Sequence, residues 1–293
     1  MIHFSCADYT FPLLSRSQRF ALLKLLGFTH VDIGLFERST DMTPSRMLAA
    51  PKAFIKQLQI DLKDADLQVA DVFLQTGLDP SVSAANDSSL PVRAHNRRIF
   101  SLTLDLCAAL ACKHITGLPG VWHEGSNKTV DFELAVESAA WRQRAAADAS
   151  VNYAIEAHVG SICSDIPSTH ALLDAVPGLT LTLDYGHFIV ARIPSSKVHP
   201  LLRFASHIHA RCGAPDRLQT SLSENRIDFG GMVSRMSKQK YTGYVAIEYV
   251  HVDWQQCNRT DNVSETILLR RLLEDCENSA QNPAQTSPGD EYV

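Results

Sequence analysis

The chain has no run rich in lysine or arginine: 27 basic residues are dispersed among 32 acidic ones in 293 residues, for a net charge of -5. Without a basic stripe there is no footprint for a phosphate backbone, so nucleic acid is not an expected partner. No stretch approaches the roughly eighteen uninterrupted apolar residues that a membrane span needs, and none is expected. The opening "MIHFSCADYTF" lacks a basic segment followed by an apolar one, so no secretory signal is read there. The seven cysteines are an odd set without a CxxC pair, in a chain too long to need stapling. They read as reduced thiols of a cytoplasmic protein. No GxGxxG follows the first apolar run, which argues against an open, doubly wound nucleotide-binding sheet.

What the sequence does have is alternation. With 45% hydrophobic residues it can bury one large core. Short apolar, β-branched runs ("IHFSCA", "HVDIGLF", "QVADVFLQ", "HITGLPG", "VNYAIEAH", "LTLTLDYG", "HIHAR", "YVAIEYV") alternate with longer helical patterns such as "SRSQRFALLKLLGF" and "DFELAVESAAWRQRAAADAS". In "SLTLDLCAALACK", Leu102, Leu106, Ala109 and Leu110 recur at helical spacing and predict the stripe that faces the sheet. Eight such units predict an α/β fold, a closed (β/α)₈ TIM barrel formed as a single domain by residues 1–275. Residues 276–293, ending "ENSAQNPAQTSPGDEYV", are polar and expected to be a disordered tail.

In such a barrel the chemistry sits at the C-terminal ends of the strands. The fifth run ends in Glu156 and His158, the sixth in Asp184 with His187 just beyond, the seventh carries His207 and His209, and the eighth ends in Glu248. Because side chains alternate along a strand, Asn152, Ala154, Glu156 and His158 share one face. His207, His209 and Arg211 share another, as do Tyr244, Ala246 and Glu248. Carboxylates converging in a poorly solvated mouth repel one another unless a cation compensates. Glu156, Asp184, His209 and Glu248 therefore form a candidate ligand set for one divalent metal ion, Mn²⁺ foremost, with Mg²⁺, Co²⁺ and Zn²⁺ as alternatives.

These motifs, "IEAH", "LDYGH", "HIHAR" and "GYVAIEYV", with "ENRIDFGGMV" after the seventh run, resemble the xylose isomerase-like TIM-barrel superfamily of sugar phosphate isomerases and epimerases, which also contains endonuclease IV. The resemblance covers roughly residues 1 to 275. It implies a metal-dependent isomerase or epimerase of a sugar or polyhydroxylated carbonyl compound. Glu156 and Glu248 would be ligands and also the pair that removes and returns an α-proton through an enediolate. His187 would stabilise the substrate oxygen that gains charge. A family arginine after the seventh strand maps to Arg217, with Arg211 as competitor. Relatives of this size pair through the barrel face, so a homo-oligomer is one expectation.

Other readings stand beside these. Dehydratases resembling those for inosose or 3-dehydroshikimate share the ligand motifs, so a lyase is an alternative, as is a barrel that only binds a small molecule. The nuclease pattern departs here: "VFLQTG" ends without histidine, and Asp216 of "PDRL" has no histidine two residues later. Asp184 and His187 alone would suit a cap or a mutual pair. His158, Trp122, His123 and Trp254 read equally as substrate contacts or as packing, and His207 as part of a barrel-floor network.

Overall fold

The computed structural model describes residues 1–38 and 41–281. Eight strands, β1 (His3–Ala7), β2 (His30–Leu35), β3 (Gln68–Leu74), β4 (His114–Gly117), β5 (Asn152–Glu156), β6 (Thr180–Asp184), β7 (Ala205–Ala210) and β8 (Tyr244–Ile247), pair in sequence order. All the pairs are parallel, and β1 closes on β8. This is the predicted (β/α)₈ barrel, and each expected strand is present.

Outward-facing residues such as Val31, Ile33, Val72, Ile115, Ile155, Leu183, Ile208 and Val245 belong to one buried cluster shared with the helices. That shell is the hydrophobic core, as expected for strands covered by helices. The helix Leu90–Leu110 buries Ile99, Phe100, Thr103, Leu106 and Cys107. Of the predicted stripe, Leu106 is fully buried and Leu102 and Leu110 pack partly buried against the same core, whereas Ala109 is corrected: it is exposed. The helix begins eleven residues before the quoted segment, and its buried apolar face begins at Ile99. The crossover from β6 to β7 has no long helix, only the short turns Gly186–Ile189, Ser195–Val198 and His199–Phe204.

Two strand pairs slip register. Val31 pairs with Val69 but Asp32 with Asp71, so Ala70 is an extra residue on β3. Leu181 pairs with Ala205 but Thr182 with His207, so Ser206 is extra on β7. Such bulges are rare in parallel pairs, and each re-aims the side chains that follow. Here the slips fall just before Asp71 and His207, from which the inward phase of each strand runs on by alternation.

The closing helix Asn262–Gln281 extends six residues into the stretch expected to be a disordered tail from 276, and residues 282–293 lie outside the described residues. No helix among the described residues is long and apolar enough to cross a membrane.

Candidate active site

Strand alternation places four ionisable side chains at the barrel mouth, each at most 2% exposed: Glu156 closing β5, Asp184 closing β6, His209 in β7 and Glu248 just past β8. The Glu248 amide still donates to the Ala210 carbonyl, so the ladder holds its side chain in place. The His209 Nδ1 lies 2.7 Å from Glu156 Oε1 and 3.4 Å from Glu248 Oε2. Tyr9, just after β1, donates its hydroxyl to Glu248 Oε1 at 2.9 Å. No spacing rule pointed to Tyr9, because it lies in a short turn beyond the strand.

Arg211 is the central cation. Its Nε donates to Asp184 Oδ2 at 2.8 Å and its Nη2 to Glu248 Oε2 at 2.6 Å, so one guanidinium ties β6 to β8. The sequence expectation preferred Arg217, and the structure corrects it: Arg217 is half-exposed and paired with Glu224 at 2.8 Å, away from the mouth. The cause is the chain path. Arg211 continues the inward face of β7, whereas Arg217 follows a turn in which Ala214 and Arg217 bridge each other.

His187 accepts the Val159 amide at Nδ1 (3.3 Å), which leaves Nε2 carrying the proton in the neutral ring. That Nε2 lies 3.6 Å from Asp184 Oδ2 and 3.8 Å from Glu156 Oε2. Burial, with the His158 and Arg211 charges added, holds the ring neutral, well below the usual histidine range. His158 stacks on Trp254 with centroids 5.4 Å apart, and burial lowers its pKa to about 4. Both border the same mouth cavity of about 540 Å³, whose other wall is the apolar group Tyr9, Phe36 and Phe73. Trp122 and His123 do not line this cavity: Trp122 is exposed, and the His123 ring is bound to Asp131.

Three carboxylates face two cations here. Burial raises Glu156 to about 7, and the Glu248 charge adds to this against the His209 hydrogen bond. For His209, burial would lower the pKa, but the carboxylates of Glu248, Glu156 and Asp32 reverse that to about 10. The repulsion that called for a metal is thus met in part by the chain's own Arg211. Ligand atoms of Glu156, His209 and Glu248 lie within 4.8 Å of one another, close enough to share an ion. Asp184 does not join them in this arrangement, because Oδ2 is held by Arg211 and Oδ1 by the Gly186 amide.

The whole fold is similar to solved barrels of different activities. The structure of L-ribulose 3-epimerase aligns with TM-score 0.75 at 15% identity, covering 99% of this chain and 100% of that one. A probable 3-DHS dehydratase from Bacillus anthracis gives 0.68 at 15%, covering 92% and 99%. An AP endonuclease, family 2, from Brucella melitensis gives 0.70 at 18%, also covering 92% and 99%. No curated protein sequence matches the chain. Residues 20–272 do match a family description, the xylose isomerase-like TIM barrel, and the chain belongs to that family.

Proposed function

We propose that the barrel mouth is the active site of an isomerase or epimerase of polyhydroxylated carbonyl compounds that works by α-proton abstraction. The observation that carries this reading is the placement of Glu156 and Glu248 on one imidazole nitrogen, at 2.7 and 3.4 Å, beside a cavity of sugar size. One carboxylate takes the proton, and the other returns it from its own side. The Glu156 carboxyl, raised to about 7, is ionised in part at neutral pH and so suits either role. The neutral His187 offers Nε2–H to the oxygen that gains charge, and Arg211 supplies fixed positive charge beside it. A divalent ion held by Glu156, His209 and Glu248 would supply Lewis-acid polarisation of the carbonyl. The apolar rings of Phe36 and Phe73 wall the cavity beside Tyr9, whose hydroxyl holds Glu248.

The test is solvent exchange. The purified protein, supplied with Mn²⁺, is incubated in D₂O with a panel of ketoses and read by NMR. Deuterium at the carbon next to the carbonyl, with carbon connectivity kept, is expected, and Glu156→Gln and Glu248→Gln should each abolish it. A product that has lost water and absorbs in the ultraviolet would replace this reading with the lyase. Ligand binding without exchange in the native protein would leave only a binding barrel.

A further inference from the structure

One step below the mouth the barrel interior is polar where branched apolar residues usually fill it. Asp32 of β2, Asp71 of β3, His114 of β4 and His207 and His209 of β7 are all at most 6% exposed. Some of their hydrogen-bonding capacity is spent internally. His207 Nε2 lies 2.6 Å from Asp32 Oδ2, and His114 Nδ1 lies 2.6 Å from Asp71 Oδ1. The rest is not: Asp32 Oδ1, Asp71 Oδ2 and His209 Nε2 are fully buried and have no hydrogen-bond partner. The last of these is 3.8 Å from Asp32 Oδ2. Buried polar atoms left unpaired are costly, so three in one cluster call for something between them.

We propose that Asp32, Asp71, His207 and His209 form a second cation site, below the mouth and sharing only His209 with it, that takes a divalent transition-metal ion. Each of the four offers a ligand atom, and these atoms all lie within 4.8 Å of one another. Donors around a tetrahedral zinc are about 3.3 Å apart, given bonds of about 2.0 Å, so the span leaves room for the ion with little movement. Two carboxylate oxygens and two imidazole nitrogens suit Zn²⁺, Mn²⁺ or Co²⁺ better than Ca²⁺, which takes six to eight oxygens. The site is also constructed by the backbone. Alternation puts Asp71 on the inward face with Phe73 and His207 with His209, and the register slips at Ala70 and Ser206 fall just before these residues. At the N-terminal end of the barrel, His114 and His207 border a cavity of about 690 Å³.

The experiment measures binding rather than turnover, so it stands or falls apart from the proposed activity. A Glu156→Gln, Glu248→Gln double variant, which removes the carboxylates of the mouth, is stripped with chelator. It is then titrated with Zn²⁺ alone, and the bound metal is counted by elemental analysis after dialysis. One ion per chain is expected to remain. Adding Asp71→Asn, which keeps the shape and can still bond His114, should weaken that binding at least tenfold while the circular dichroism stays native. Asp32→Asn on the same background should do the same. No bound ion in the double variant, or equal affinity after Asp71→Asn and Asp32→Asn, would overturn the site and leave an ordered water as the occupant.

Discussion

Arg211 and Arg217 carry the same charge and lie six residues apart, yet only one is locked into the mouth. Replacing Arg211 by Met leaves Asp184 and Glu248 buried without their cation, which should cost about 3–5 kcal/mol of stability. Where the variant stays folded, exchange activity should fall roughly 10²–10³-fold. Lysine should not rescue it, because a point charge does not span two carboxylates as a guanidinium does. Arg217→Met removes an exposed pair and should shift stability by under ~1 kcal/mol with exchange unchanged. Denaturant titration and the D₂O assay read both. At this scale the sequence was partly legible. Period-two alternation from His209 placed Arg211 inside, and the strand-end carboxylates followed from the same rule. Tyr9 carried no such signal, and Asp32 and Asp71 were missed because each lies three residues before the end of its strand, deeper than the mouth to which the strand-end rule points.

At the scale of elements, the barrel was legible because each βα unit writes its own change of period, from two to 3.6, into the sequence. The end of the long helix Leu90–Leu110 shows what that pattern does not carry. Its C-terminal cap, Ala111, sits in the left-handed region at φ 55 and ψ 22, where a glycine is usual. A side chain there costs about 1–2 kcal/mol of local strain, partly offset because alanine restricts the unfolded chain. Ala111→Gly should therefore raise the unfolding free energy by ~1 kcal/mol, measured by urea titration. Loss of stability would instead mean that the Ala111 methyl packs more than it strains. The sixth crossover was not legible either: a crossover made of three short turns gives no sustained helical period, and "HFIVARIPSSKVHPLLRF" reads as neither type.

Across the whole molecule, stability and the candidate chemistry pull in opposite directions at Glu156. Its folded pKa, about 7, lies above the ordinary 4.5, so the folded protein holds a proton that the unfolded chain gives up. Between those values stability falls as pH rises, because ionising this carboxyl is penalised only in the folded barrel. Glu156→Gln removes that penalty and can still accept from His209. The variant's melting temperature relative to the native protein should thus climb from pH 5 to about pH 7 and level off above it, while its exchange activity is lost. A flat difference across that range would show that Glu156 is not the carboxyl whose ionisation is resisted.

A single imidazole separates the two compartments of this barrel, with one ring nitrogen turned toward the mouth and the other toward the interior cluster. Held protonated by the carboxylates around it, that ring must lose one proton before it can bind a cation, and the single lone pair so gained faces only one side at a time. Whatever draws the lone pair downward obliges the ring to donate upward, and the reverse holds equally. The two ends of the barrel are therefore anticorrelated through tautomer choice: occupancy at one weakens electrophile binding at the other by the same factor in both directions, although nothing bound at either end touches the other.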